Sequence, residues 1–369
     1  VATDTNAYKL LIVQPDDGVT PLVQAIDGAL ESIDILIFRF DRRELEAAIV
    51  RAVQRGVHVR ALIAHTSKGG EKSLRALELR MLKAGVTVCR TAEDLLRYHG
   101  KMMIVDRKEL FVLGFNFSYI DMDRSRSFGI VTLDKSLVDE AAKLFDADSA
   151  RKEYVPAHNR FLVSPLNART QLAEFLKGAK RELLFYDPNI SDKQMLRILE
   201  ERAKDGVAIR AIGYSPRLAA RQLLEPRLHV RLILRDEASV FLGSQSLRAS
   251  ELDRRREVGL IIDDADLAAT LKSTFEKDWS ASEPVPGFVD APVSANKIAK
   301  RVAKAVTREL PPLEPVFEEV MKEVGVEELA IQPDWSDLQS TVEDAVKRAV
   351  KEAVRNAVEG GGGGGGGAA

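Results

Sequence analysis

Apolar positions along this chain switch repeatedly between a strand period and a helix period. LLIVQ (Leu10–Gln14) reads as a short strand. The turn residues PDDG follow, and Thr20-Pro21 predicts a helix start, with Thr20 as N-cap and the proline in the first turn. IDILIF (33–38) is a continuous apolar run of strand length. Asp41 is placed to cap the next helix, whose Leu45, Ala48, Ile49, Ala52 and Val53 follow helical spacing. Gly56 stands where a helix ends in a left-handed residue, and VHVRALIA returns as a strand. Another helix carries Leu74, Leu77, Met81 and Leu82, stops at Gly85 and yields to VTVCR. KMMIVD, LFVLGF and FGIVTLD then supply three closely spaced strands, and a helix over 135–151 closes the half. Strands alternating with helices predict a mainly parallel sheet covered on both faces.

The second half replays this plan. ELLFYD corresponds to IDILIF, DGVAIRAI to RGVHVRAL, and GLIID with a helix over 264–279 closes it. The register is explicit around YHGKMMIVDRKELFVLGFNFS (98–118) and LHVRLILRDEASVFLGSQSLR (228–248). His99 aligns with His229, Lys101 with Arg231, Asp106 with Asp236, Asn116 with Ser246, Arg126 with Arg256 and Gly129 with Gly259, without a gap. Upstream, the first half is longer by 20 residues, which the pattern assigns to the helix and strand over 71–90. The expected organisation is two related α/β/α halves (1–155 and 156–282) with mixed, mostly parallel sheets and one composite, pseudo-twofold site. A helical extension (283–359) and a Gly-rich flexible tail (360–369) follow.

Composition narrows the partners. Of 369 residues, 54 are Lys or Arg and 56 Asp or Glu, a net charge of -2 that argues against a nucleic-acid coat protein. No apolar run approaches membrane-spanning length. The single cysteine, Cys89, lies in the apolar VTVC and is expected in the core, so no intrachain disulfide can form. The chain begins at Val1, compatible with removal of a leader. In the extension, Ala345, Ala349, Ala353 and Ala357 recur every four residues. That stripe drifts around an α-helix, and its small apolar residues with alternating acidic and basic side chains predict helix–helix packing, including self-association, over a membrane-surface helix.

The doubled stretch carries the chemistry. Two apart on a strand, His99 and Lys101 project together, as do His229 and Arg231. About a pseudo-twofold axis, two imidazoles, Lys101, Arg231, Asn116 and Ser246 make a cradle for one phosphate. One histidine can attack phosphorus while the other protonates the departing oxygen. With two cations stabilising the developing charge, this chemistry calls for no metal or other cofactor. Asp106 and Asp236 have the opposite strand parity and face the turn. For them, backbone hydrogen bonding is at least as good a reading as catalysis. Arg124, Arg126 and Arg254 to Arg256 flank the cleft and compete as phosphate binders with a solvated charged face. His58, His65 and His158 lack a partner motif and are read as structural.

H-x-K-x4-D followed by G-S-x-N, written twice, resembles the signature of the phospholipase D superfamily. His99, Lys101, Asp106 and Asn116 match the first copy; His229, Asp236, Gly243 and Ser244 match the second. Arg231 stands in place of Lys, Ser246 in place of Asn, and Leu113-Gly114 in place of Gly-Ser. The resemblance spans residues 10–279. It implies a metal-independent phosphodiesterase or phosphatidyltransferase working through a covalent phosphohistidine, with His99 as nucleophile and His229 as general acid and base. Glu257 would orient a catalytic histidine, the place that Ser127 takes in the first half. Asn116, Ser244, Ser246, Arg126 and Arg256 would bind the substrate phosphate. The implied substrate is a phospholipid, as in cardiolipin synthase-like bacterial members, with peripheral membrane contact and a cytoplasmic or membrane-surface location. A nuclease of the same superfamily is the alternative enzyme. A degenerate protein that binds anionic phosphodiesters without turnover is the alternative outside enzymes.

Overall fold

A computed structural model describes residues 8–64 and 71–285, with a few helical positions beyond residue 300. His65, the start of the chain, the glycine run and nearly all of the predicted C-terminal helices lie outside the described residues. The chain divides into two compact units, Val1–Phe288 and Val289–Ala369, and both repeats belong to the first.

The first repeat runs β1 (Leu10–Gln14), α1 (Thr20–Gly28), β2 (Ser32–Ile37), α2 (Arg43–Gln54), β3 (His58–Ile63), α3 (Glu71–Lys83), β4 (Thr87–Arg90), β5 (Arg97–Tyr98), β6 (Met102–Val105), β7 (Glu109–Leu113), α4 (Tyr119–Asp123), β8 (Ser125–Thr132) and α5 (Lys135–Ala150). The second runs β9 (Phe161–Ser164), α6 (Ala168–Lys177), β10 (Glu182–Asp187), α7 (Lys193–Lys204), β11 (Ala208–Gly213), β12 (Ala220–Leu223), β13 (Arg227–Leu228), β14 (Arg231–Arg235), β15 (Ser239–Gly243), α8 (Ala249–Asp253), β16 (Arg255–Asp263), α9 (Ala265–Ser280) and β17 (Ser282–Pro284).

Each repeat builds one mixed sheet, ordered β1-β8-β7-β6-β2-β3-β4 and β17-β12-β11-β10-β14-β15-β16. Pairing is parallel where a helix crosses over (β2 with β3, β10 with β11) and antiparallel where strands follow closely (β6-β7-β8, β14-β15-β16). Strand parity divides the side chains. Met102 and Ile104 join a central core with α5, α9 and the inner face of the other sheet, while Met103 and Val105 pack under α1 and α2. The equivalent outer face of the second sheet is covered by α6 and α7.

Two short strands cross between the repeats. β5, just before His99, pairs in parallel with β16 of the second repeat; β13, just before His229, pairs in parallel with β8 of the first. The backbone N–H of His99 donates to the Arg256 carbonyl at 2.7 Å, and that of His229 to the Arg126 carbonyl at 3.1 Å. Each histidine is therefore laid against the other repeat's sheet.

Local departures from the sequence reading have simple causes. Thr20 is the first residue of α1, with Val19 as N-cap and no side-chain capping bond. Asp41 accepts from the Tyr119 N–H and ties down α4, while α2 starts after Arg42 without a side-chain cap. The second repeat does cap at this point, through Asp192, which accepts from the N–H groups of Gln194 and Met195. β12 pairs in parallel with β11 as β4 does with β3, so the additional segment of the first repeat is α3, and the strand is common to both. Cys89, expected to be buried, is half-buried on β4 at the margin of the central core.

Candidate active site

Neither His99 nor Lys101 is inside a strand; both lie in the link between β5 and β6, yet they meet. Lys101 is fully buried, donates to the His99 carbonyl at 2.6 Å, and places Nζ 3.2 Å from Nε2 and 3.3 Å from Nδ1 of the same ring. Nearly equal distances put the ammonium over the ring face and leave the Nε2 lone pair in the ring plane open. Nδ1 lies 3.0 Å from Oε2 of Glu257, a fully buried carboxylate on β16 of the other repeat. A proton on Nδ1 shared with that carboxylate fixes the tautomer with Nε2 unprotonated. Burial, then repulsion from Lys101 and Arg231, holds the His99 imidazolium far below its usual range, so the ring is neutral near pH 7. Burial pushes the Glu257 carboxyl up, against the pull of Lys101 and a hydrogen bond from Ser244.

His229 also is kept neutral by burial, with Asp121 opposing and Arg231 and Lys101 reinforcing. Its Nε2 lies 3.5 Å from Asp121, and its Nδ1 is buried without a hydrogen-bond partner. Ser127, which takes the place of Glu257 in the first repeat, is too short to reach far, and its buried Oγ is also unpartnered. Gly114 belongs to the same exchange, because a Cβ there would stand 2.9 Å from Ser127 Oγ. In the second repeat Ser244 occupies that position, bonding the backbone of Val258 as well as supporting Glu257.

The two cations face each other through a shared field. Lys101 is pulled down to about 7 by burial, with Glu257, Asp121 and Glu251 opposing and Arg231 reinforcing. Asn116 accepts from the Arg39 N–H through Oδ1 and donates through Nδ2 to Asp121 at 2.7 Å. In the second repeat the equivalent N–H, that of Asn189, is accepted by Asp187 at 2.8 Å, and the Arg231 guanidinium reaches Ser246 Oγ at 3.0 Å and Glu251 at 3.5 Å. Asp187 and the arginine fork thus supply the acceptor and the donor that a serine lacks relative to asparagine. Burial raises Asp187 to about 6. Asp121 stays below the usual carboxylate range although burial opposes it, because Asn116 donates to it from both side chain and backbone and Lys101 favours its charge.

The remaining sequence candidates sit elsewhere in the architecture, and their assignments are corrected here. Asp106 and Asp236 adopt left-handed backbone (φ 52° and 55°) and turn away from the imidazoles. Asp106 accepts from the N–H groups of Leu30, Glu31 and Ser32, and Asp236 from those of Lys180, Arg181 and Glu182, pinning the loops before β2 and β10. Arg126 forks onto Asp278 of α9 and also donates to the Gln14 carbonyl; Arg256 pairs with Asp148 of α5 and donates to the Ser164 carbonyl. Both arginines are committed to fastening helix to sheet. Ser244 is bonded to backbone and Glu257, which makes it a support for that carboxylate. Asp121, Glu251 and Asp187 were missed by motif reasoning. The alignment that pairs the histidines also sets Asp121 opposite Glu251, so that signal was present; Asp187 aligns with the apolar Ile37 and gave none. Among the described residues no group of three or more His, Cys, Asp or Glu is placed to hold a metal ion, and no helix is long and apolar enough to cross a membrane.

The family model of the cardiolipin synthase, PLD-like domain matches residues 22–149, which contain His99, Lys101 and Asn116. Over that stretch the chain is similar to the phospholipase D-like family. Solved structures extend the likeness in fold across both repeats. Phosphatidylserine synthase from Haemophilus influenzae Rd KW20 superposes with a TM-score of 0.61 at 13% identity, covering 87% of this chain and 96% of its own. Polyphosphate kinase from Porphyromonas gingivalis superposes with a TM-score of 0.60 at 19% identity, covering 73% of this chain; the match spans only 50% of the kinase. At these identities the shared property is the fold. No curated protein sequence matches the chain.

Proposed function

We propose that this protein is a phosphodiesterase or phosphatidyltransferase that works through a phosphohistidine on His99, with a phospholipid-type phosphodiester as substrate. The observation that carries the reading is the Glu257 carboxylate held against His99 Nδ1, which leaves an unprotonated Nε2 free beside Lys101. His99 Nε2 attacks phosphorus, a P–N bond forms, and the P–O bond to the leaving group breaks with its electron pair moving to oxygen. His229 gives that oxygen a proton; the phosphodiester anion and Asp121 both favour the imidazolium required. His229 then removes a proton from water or an alcohol, whose oxygen displaces His99. Lys101, Arg231, Asn116 and Ser246 bind the non-bridging oxygens as their charge grows. The match of residues 22–149 to the cardiolipin synthase, PLD-like domain supports a lipid substrate over nucleic acid.

Intact-mass measurement after brief incubation with bis(p-nitrophenyl) phosphate tests this. Its good leaving group lets the first step proceed without an acid, so His229→Ala accumulates a p-nitrophenyl phosphoryl adduct that the His99→Ala, His229→Ala double variant lacks. Absence of any adduct together with absence of wild-type turnover sinks the proposal and leaves a binding protein.

A further inference from the structure

Beside His99 lies a second group of cations that the chemistry above does not use. Phe38 is nearly buried, packs edge-on against the His99 ring (5.1 Å between centroids), and carries two guanidiniums on its surface. Arg97 Cζ lies 5.0 Å and Arg39 Cζ 5.9 Å from the Phe38 centroid. Both are held by backbone belonging to the site. The Arg39 N–H donates to Asn116, and Arg97 pairs with Arg255 on β16, two residues from Glu257. Among the described residues, neither side chain makes a hydrogen bond or an ion pair. Arginines elsewhere in this protein are mostly forked onto carboxylates, as Arg60, Arg126, Arg169 and Arg210 are. Burial first, then repulsion from Arg255 and Arg39, lowers Arg97 from its ordinary value, with Glu257 and Glu251 only partly compensating. Guanidiniums gathered against mutual repulsion, with free N–H edges, match a planar or tetrahedral oxyanion.

The other repeat lacks this arrangement. Pro188 and Asn189 stand opposite Phe38 and Arg39, and Arg227, opposite Arg97, is spent on Asp121 at 2.5 Å and on Ser125. The asymmetry makes the cation pair a feature of one side of the cleft only.

We infer that Arg39 and Arg97, ordered on Phe38, form a subsite for a second phosphate group of the substrate, adjoining the phosphate that His99 attacks. This rests on the reading of the His99 cradle as a phosphate site, and it narrows the substrate to one with two phosphates. The second can be joined to the first through a bridging oxygen, as in a diphosphate, or separated from it by a sugar.

Calorimetric titration of the full chain with orthophosphate, pyrophosphate and thymidine 3′,5′-bisphosphate tests the subsite without requiring turnover. The wild type should bind at least one two-phosphate probe about tenfold or more tighter than orthophosphate, and Arg39→Gln/Arg97→Gln should bring the two within about twofold. Preference for pyrophosphate identifies a diphosphate, and preference for the bisphosphate a sugar-separated pair. Equal binding of all three probes to the wild type, or a preference that survives the double variant, overturns the subsite. The exposed Arg39→Gln alone should lose part of the preference and serves if the double variant does not fold. Failure of catalysis is read separately, from the missing mass adduct.

Discussion

The two sides of the cleft have matching sequences and different solutions in atoms. On one side Lys101, Asn116 and Asp121 stand beside the apolar Ile37; on the other are Arg231, Ser246, Glu251 and the buried Asp187. A Lys-to-Arg or Asn-to-Ser difference taken alone reads as decay. Taken together, the four positions conserve one side-chain acceptor for a backbone N–H and one donor toward a carboxylate, at the cost of burying an additional acid. The histidines differ in the same manner. His99 is oriented by Glu257 with Ser244 behind it, whereas His229 faces Ser127 and Gly114 and retains an unpartnered nitrogen. A repeat that has lost its strict symmetry can give its two imidazoles different tasks.

Four experiments sharpen this contrast, and the largest effect belongs to the cations. Burial pulls Lys101 down to about 7. Between about pH 7 and the ordinary lysine value the folded chain binds fewer protons than the unfolded one, so stability should rise with pH across that window. Denaturant titrations at pH 7 and pH 10 should show Lys101→Met removing roughly 3–5 kcal/mol of this rise, and Arg231→Met, which takes away a charge that depresses Lys101, reducing it by less. A pH-independent wild type would contradict the buried ammonium.

Next comes the positioning of the two histidines. Glu257→Gln should lower kcat on bis(p-nitrophenyl) phosphate by roughly 100-fold with KM nearly unchanged, and should shift the pH profile. Ser127→Ala should cost less than about threefold. Equal losses would mean that the two imidazoles are supported alike. The exchanged cluster gives a smaller, non-additive signal. Arg231→Lys alone strands Ser246 and Glu251 and should cost about 1–3 kcal/mol of stability. The combination Arg231→Lys, Ser246→Asn, Asp187→Ile copies the first repeat at three of the four positions and should recover most of that loss, which a triple-mutant cycle reads directly. Smallest and most symmetric are the loop clamps. Asp106→Ala and Asp236→Ala should each destabilise by about 1–2 kcal/mol, to similar extents and without changing kcat, because their partners lie near solvent and can bond water.

Much of this was legible in the residues because the chain states it twice. Thirty residues aligned without a gap placed both histidines, both cations, Asn116 and Ser246, and the alternation of strand and helix placed the two sheets. What stayed hidden depends on contacts between repeats. Nothing local distinguishes Arg126 and Arg256 from phosphate binders; only the helices α5 and α9 returning Asp148 and Asp278 to the sheets reveal their work. Asp187 was invisible because compensation for a serine is written on another strand, opposite an isoleucine. Glu257 was half visible, since its position was marked but its partner was not.

The crossing of β5 onto β16 and of β13 onto β8 also bears on how the protein comes to be active. His99 and Glu257 are 158 positions apart, and contacts of such separation close late because the loop entropy must be met before they form. The first repeat can complete its own sheet while β5 still awaits a strand not yet in place. Assembly of secondary structure therefore precedes the meeting of His99 with Glu257, and the cleft between the repeats is among the last parts of the folded unit to form.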